Sequence, residues 1–361
     1  MNNAWLRDTI RDFEPYKVPE IKENTVINAN ESPYNIFDFP NVKVDFLSRL
    51  EKRPLYHYPN PFAEELRTAL GEYVSRRADE ILVGNGGDEI ISLILNTFMN
   101  AGDTLLIHTP TFDVYEIDGQ VLGANVVKVP DLEGFKRDRN TFLRRVTELR
   151  PKITMLCNPN NPTGELLPLS FLEEVLKASS NPVVIDEAYL EFSGQESIIS
   201  QLDQYDNLIV IRTLSKAFGL AGMRIGYAVA QQDVIAALSL TKLVYNMNNM
   251  SQLLGLSAMA YRDEILQHNI PPTIQGREYL MAALRKLDGV TVYPSVTNFV
   301  LVHVPDGPAM VRALSQADIC VRFYKAPELE NCLRITVTTM DVIRRVISVF
   351  QREVVPCAAL K

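Results

Sequence analysis

Between residues 60 and 230, short aliphatic and β-branched runs alternate with longer amphipathic stretches, and this rhythm constrains the chain more than any other feature. Such alternation builds βαβ units, whose strands lie side by side in a parallel sheet covered by helices. The predicted strands are Ile81 to Val83, Thr104 to His108, Asn125 to Val129, Ile153 to Cys157, Val183 to Asp186, Leu208 to Arg212 and Ile225 to Ala230. Predicted helices fall between most of them, over Ala63 to Arg77, Glu89 to Asn100, Asp113 to Leu122, Arg139 to Leu149 and Leu169 to Ala178. The last two strands are too close together for a crossover helix.

After Gln232 the pattern becomes helical, with long periodic stretches from Gln252 to Gln267 and Gln275 to Leu287. Strand-like pieces return at Val290 to Tyr293, Phe299 to Val304, Ile319 to Phe323 and Leu333 to Val337, before a helix that Asp341 is placed to cap. The first 55 residues are rich in Pro and Asn and show little periodicity. The expected fold is α/β, a large domain with a mostly parallel sheet between helices plus a smaller α+β domain. The expected boundaries are an N-terminal arm over 1–55, a large domain over 56–250 and the small domain over 251–361. A length of 361 residues suits that division, at roughly 100 to 200 residues per domain.

The formal net charge of −8, from 36 basic and 44 acidic residues, argues against a nucleic-acid surface or an anionic-membrane anchor. Cys157, Cys320, Cys332 and Cys357 form no Cys-x-x-Cys pair, so neither a disulfide framework nor a zinc knuckle is expected. His57, His108, His268 and His303 lack i, i+4 spacing, and no metal is expected. Charged residues interrupt the first 19 positions, unlike a secretory signal. No apolar run reaches the roughly 18 to 20 residues of a membrane span. The expected setting is reducing and cytoplasmic.

Ligands of open parallel sheets bind beyond the carboxyl ends of the strands, and four strand ends here carry unusual chemistry. Gly84-Asn85-Gly86-Gly87-Asp88-Glu89 precedes an apolar helix, so unpaired backbone N–H groups face any anion seated there. A plain tight turn would use the same glycines. Asn158 to Gly164 combines backbone-fixing prolines with carboxamides able to hold a ring oxygen. Asp186 ends a wholly apolar strand, where a carboxylate needs a cation, and Tyr189 stands three residues on. A turn-capping Asp is the simpler alternative. In Thr213-Leu214-Ser215-Lys216, a lysine sits among hydroxyls and small residues, with Arg224 eight positions later. Desolvation there would lower its pKa, as carbonyl capture by a neutral amine requires.

The four ends converge on one ligand. Ser215, Arg224 and the glycine-rich helix start suit a phosphate, Asn161 and Tyr189 a ring oxygen, Asp186 a protonated ring nitrogen and Lys216 an aldehyde. Pyridoxal 5′-phosphate has all four. From Asn28-Ala29-Asn30-Glu31-Ser32-Pro33 to Leu333-Arg334-Ile335-Thr336-Val337, these motifs resemble the fold-type I pyridoxal-phosphate aminotransferases. The branch most resembled is that of the histidinol-phosphate aminotransferases.

The resemblance implies a seven-stranded, mostly parallel sheet in the large domain and pyridoxal phosphate as cofactor. It makes Lys216 the residue that captures the cofactor and then shuttles the proton, while Asp186 meets the ring nitrogen. Asn161 and Tyr189 hold the ring oxygen and Phe112 stacks on the ring. Gly87, Asp88, Thr213, Ser215 and Arg224 form a phosphate cup. Tyr58 is lent to a neighbouring subunit, which implies a homodimer with shared sites. Tyr16, Asn161, Arg322 and Arg334 match substrate positions, Arg334 receiving the α-carboxylate of glutamate.

Two departures stand out. Phe112 replaces a common Tyr, and Asn30-Glu31-Ser32-Pro33 replaces Asn-Glu-Asn-Pro, which implies an entrance loop shaped for a different substrate. The expected reaction exchanges an amino group between L-histidinol phosphate and 2-oxoglutarate or glutamate, as a step of histidine biosynthesis. The alternatives are an aromatic or other amino-acid aminotransferase and a threonine-phosphate decarboxylase-like lyase.

Overall fold

The computed structural model describes residues 5–11, 13 and 21–354. In chain order the strands are β1 (Thr25–Ile27), β2 (Ile81–Asn85), β3 (Thr104–Thr109), β4 (Asn125–Pro130), β5 (Ile153–Cys157), β6 (Val183–Asp186), β7 (Leu208–Thr213), β8 (Ile225–Ala230), β9 (Thr291–Val292), β10 (Phe299–His303), β11 (Ile319–Phe323) and β12 (Cys332–Thr336). The helices are α1 (Pro40–Glu51), α2 (Glu64–Val74), α3 (Gly87–Phe98), α4 (Val114–Leu122), α5 (Arg139–Leu149), α6 (Leu169–Ala178), α7 (Gln232–Ser239), α8 (Asn249–Ala260), α9 (Arg262–Leu284), α10 (Gly307–Gln316) and α11 (Met340–Glu353).

The large sheet has seven strands in the order β2-β8-β7-β6-β5-β3-β4. Strands β5 to β8 are buried along their whole length, as continuous aliphatic runs in a sheet covered on both faces should be. One face packs on α1, α2, α5, α6 and α8, the other on α3, α4 and α7. Strand β8 runs antiparallel to both β2 and β7. An antiparallel return needs only a loop, which explains the missing crossover helix. Residues 214–224 therefore double back at the same sheet end where β5 and β6 finish.

Helix α1 forms where little periodicity is visible in the sequence. Pro40 opens it, and only Val42 and Phe46 are fully buried, too thin a stripe to stand out among exposed Val44 and Leu47. Helix α8 is buried on nearly every side, so it has no polar face to give a period. The break between α8 and α9 falls at Tyr261, and α9 runs on through Pro271 and Pro272. Buried Ile265, Leu280, Met281 and Leu284 hold α9 together across the prolines. Helix α11 begins at Met340, so Asp341 lies in the first turn rather than at the cap.

A second sheet, β1-β11-β12-β10-β9, has its own core against α9, α10 and α11. Its outer strand β1 pairs parallel with β11, so the early chain completes a sheet built from the late chain. The two cores meet along a polar seam. There Asn30 N–H donates to Thr336 Oγ1 at 3.0 Å, Asn298 Nδ2 donates to Asn30 O at 2.9 Å and Val296 N–H donates to Gly164 O at 3.2 Å.

Candidate active site

Lys216 lies on the β7–β8 return, half-buried, with its Nζ donating to Ala29 O at 2.9 Å. The nitrogen sits 5.8 Å from the centre of the Tyr189 ring. Burial, reinforced by the Arg334 charge, lowers its pKa to about 8, against the opposing pull of Glu31 and Asp88. A minority of the side chain, but far more than for an ordinary lysine, is therefore neutral amine near physiological pH, the form that attacks a carbonyl carbon.

At the end of β6, Asp186 is 5% exposed. Its Oδ2 accepts from the Tyr115 hydroxyl at 2.6 Å and its Oδ1 from Ala188 N–H at 3.0 Å. Burial pushes the Asp186 pKa up, while those two donors and the Lys216 charge pull it down. A cation beside the carboxylate would complete the balance. Tyr115 is fully buried on α4, and Phe112, three residues earlier, meets its ring edge-on at 5.6 Å. No role for Tyr115 was read from the sequence, where it looks like one more core aromatic. The available signal was that a buried phenol needs a partner.

The helix start of α3 is shaped by what its neighbours leave out. A Cβ at Gly226 would lie 2.3 Å from the Gly86 carbonyl carbon, and one at Gly86 would lie 2.3 Å from Arg224 Nη2. Glycine at both positions lets the loop rest on β8 with the Arg224 guanidinium against it. Gly86 offers no side-chain cap, so the N–H groups of Gly87 and Asp88 are not used by a cap side chain. Arg224 Nη2 donates to Asp88 Oδ2 at 2.8 Å. Thr213, the last residue of β7, and Ser215 just beyond it lie on the return, where the Thr213 hydroxyl is engaged within the turn, donating to Ile225 O at 3.0 Å and accepting from Ser215 N–H at 3.0 Å.

Across the seam, Arg334 on β12 is 7% exposed. Its Nη1 donates to Asn161 Oδ1 and its Nη2 to Asn28 O at 2.7 Å, while Nε is buried without a partner. No carboxylate among the described residues pairs with this guanidinium. Tyr189 is buried, and its hydroxyl oxygen accepts from Asn30 Nδ2 at 3.0 Å, a link the sequence does not show. Arg322 is the cross-strand partner of Arg334. It lines a cleft of about 330 Å³ together with Phe112, Asp113 and Tyr324. Tyr58 stands apart, 78% exposed and stacked on Tyr245 with ring centroids 4.4 Å apart. Tyr16 lies outside the described residues.

Capture of an aldehyde, a counter-charge for a ring nitrogen and a seat for a phosphate are the needs of one cofactor. The neutralisable Lys216 amine, the buried Asp186 and the glycine-built start of α3 fit pyridoxal 5′-phosphate in each respect. Fold and site together define a pyridoxal-phosphate enzyme of fold type I. Residues 23–350 match the family model of aminotransferase class I and II, and the chain belongs to that family. It is a pyridoxal-phosphate-dependent transaminase.

Among its relatives, a histidinol-phosphate aminotransferase of Thermoanaerobacter sp. (strain X514) is 38% identical over 338 residues, covering 93% of this chain and 95% of the relative. The crystal structure of histidinol-phosphate aminotransferase from Sinorhizobium meliloti in complex with pyridoxal-5′-phosphate superposes with a TM-score of 0.87 at 23% identity, over 97% of this chain and 98% of that one. L-Threonine-O-3-phosphate decarboxylase from Porphyromonas gingivalis superposes with a TM-score of 0.78 at 23% identity, over 91% and 99% of the two chains. The fold is thus shared by two reaction types. Among the described residues, no cluster suited to a metal ion occurs and no helix is long and apolar enough to cross a membrane.

Proposed function

We propose that this aminotransferase exchanges the amino group between L-histidinol phosphate and 2-oxoglutarate, the step that histidine biosynthesis requires. The observation that carries the reading is Arg334, a buried guanidinium with an unpaired Nε and no described carboxylate within ion-pair distance. A buried cation without a counter-ion calls for an anion from the substrate. One planar fork accepts either a carboxylate or a phosphate, and Arg322, opposite it on β11, adds a second positive charge at the cleft. The names of relatives at 38% identity favour the phosphorylated substrate.

When bound, pyridoxal phosphate supplies the aldehyde that takes up amino groups and the electron-withdrawing ring that acidifies the adjoining carbon. In this reading Lys216 Nζ would hold the cofactor at its aldehyde and, once the substrate amine has displaced it, would take the proton from the substrate carbon and return it. Asp186, oriented by Tyr115 and Ala188, keeps the ring nitrogen positively charged. Because Asn30 donates to the Tyr189 oxygen, the Tyr189 proton would stay available for the ring oxygen, which Asn161 would also hold. Phe112 covers the ring face. Gly87, Asp88, Thr213, Ser215 and Arg224 hold the phosphate, and Arg334, Arg322, Asn161 and Tyr16 receive the substrate.

The proposal extends to a homodimer with shared sites. Leu55, Tyr56, Tyr58 and Phe62 together with Leu240, Leu243, Val244 and Tyr245 are all exposed, and the Tyr58–Tyr245 stack joins the two segments. Apolar surface of that kind on one face suits a subunit contact. Free Cys157, Cys320 and Cys332 accord with a reducing cytoplasm.

The test is a panel of histidinol phosphate, phenylalanine, leucine and threonine phosphate, each offered with 2-oxoglutarate. Preferred turnover of histidinol phosphate supports the reading. Equal turnover of phenylalanine overturns the substrate assignment, and carbon dioxide release from threonine phosphate without use of 2-oxoglutarate makes the chain a lyase. Arg334→Lys, which loses the fork, should lower kcat/KM in both half-reactions by about 10- to 100-fold, the worth of one charge-assisted contact.

A further inference from the structure

Tyr58 belongs to an irregular loop whose backbone is nevertheless held at three carbonyls. His57 O accepts from Asn249 Nδ2 at 3.3 Å, Asn60 O from Gln252 Nε2 at 3.0 Å and Pro61 O from Lys242 Nζ at 3.0 Å. All three donors come from residues 242–252. Lys242 does more than the other two, because its Nζ also donates to Leu243 O at 2.9 Å, Val244 O at 3.4 Å and Asn246 Oδ1 at 3.1 Å. An ammonium has three protons to give, and here they are spent entirely on neutral oxygens of two loops.

From Asn246 the connection continues to the start of α3. Asn246 Nδ2 donates to Val83 O at 3.2 Å on β2 and to Glu89 Oε2 at 2.8 Å, and the same Oε2 accepts from Asn85 N–H. One side chain therefore joins the loop carrying Tyr58, the turn carrying Tyr245 and, through one carboxamide, the strand end and helix that make the phosphate cup. Burial lowers the Lys242 pKa while the Glu89 charge raises it, so the ammonium and the carboxylate feel each other across Asn246.

We propose that Lys242 is a positioning residue, which fixes the Tyr58 loop relative to the phosphate cup so that Tyr58 stands ready for the cofactor phosphate of a second copy of this chain. The inference rests on the shared-site homodimer proposed above. An exposed aromatic on an untethered loop would lose conformational freedom on contact, and tethering the loop beforehand removes that cost from binding.

The experiment measures equilibrium binding of pyridoxal phosphate, and of pyridoxal without the phosphate, to the purified apoprotein and its Lys242→Met, Lys242→Arg, Asn246→Ala and Tyr58→Phe variants. Lys242→Met should weaken binding of the phosphorylated form by about 10-fold and leave pyridoxal within about twofold, with partial recovery in Lys242→Arg, whose guanidinium still reaches several carbonyls. A folded, dimeric Lys242→Met protein that binds both ligands like the wild type, or loses both equally, overturns the proposal. If Lys242→Met does not fold, Asn246→Ala is read in its place, and an unchanged phosphate preference there overturns the link to the cup. Tyr58→Phe separates the two readings. Loss of phosphate affinity in that variant but not in Lys242→Met refutes the role of Lys242 alone, whereas an unchanged Tyr58→Phe refutes the shared site itself.

Discussion

In the proposed reaction a lysine must act as a neutral amine and an aspartate as an anion, and both sit in surroundings that penalise charge, which helps the first and hinders the second. Because burial brings the Lys216 pKa to about 8, uptake of pyridoxal phosphate by the apoprotein should quicken about tenfold per pH unit below that value and level off above it. Stopped-flow absorbance against pH checks this, and a profile still climbing near pH 10 would show an unperturbed amine. Asp186 has the opposite problem, which the Tyr115 hydroxyl eases. With Tyr115→Phe the carboxyl keeps its proton to higher pH, so the acid limb of the kcat profile should move upward and kcat near neutrality should fall about 10-fold. A profile superimposable on wild type would mean that Ala188 N–H alone sets the acid. The sequence singles out Asp186 because it ends a wholly apolar strand, and Lys216 because it sits among hydroxyls and small residues just beyond another. It does not single out Tyr115, whose phenol occupies a core position of α4. The partner of Tyr189, Asn30, lies 159 residues away, and no local pattern connects them.

Among the elements, the β7–β8 pair has the greatest say over the site. Thr213 faces Gly226 across the pair, and Gly84 faces Gly226 from the other side, so a side chain at 226 would push into the Gly86–Gly87 backbone. Gly226→Ala should therefore weaken pyridoxal phosphate binding by more than about 10-fold, while circular dichroism shows helix content preserved. Unchanged affinity would mean that the loop above β8 moves freely. The aliphatic strands of the large sheet were plain in the sequence because burial on both faces leaves them little else to be. Their directions were not, and only the short span between β7 and β8 hinted that one strand is reversed. Helix α1 and the α8–α9 boundary escaped notice for opposite reasons. Helix α1 buries too few residues to mark a face, and α8 buries too many.

Across the whole molecule, the proposed homodimer, with its exposed apolar segments and Tyr58 loop, would make the working unit larger than one chain. Mixing Lys216→Ala with Tyr58→Ala subunits should restore part of the lost activity, because one of the two sites in a mixed dimer takes its lysine and its tyrosine from intact sources. No recovery after demonstrated subunit exchange would place Tyr58 outside the site. Within the single chain, the parallel pairing of β1 with β11 has a consequence in time. Thr25 is made well before Ile319, its partner; at about 5 to 20 residues per second a ribosome needs roughly 15 to 60 seconds to reach it. Until then the segment holding Asn28 and Asn30 has neither its sheet nor Arg334 to bind. The growing polypeptide can thus assemble its large sheet and the Lys216 return loop well before β12 brings Arg334 to the seam.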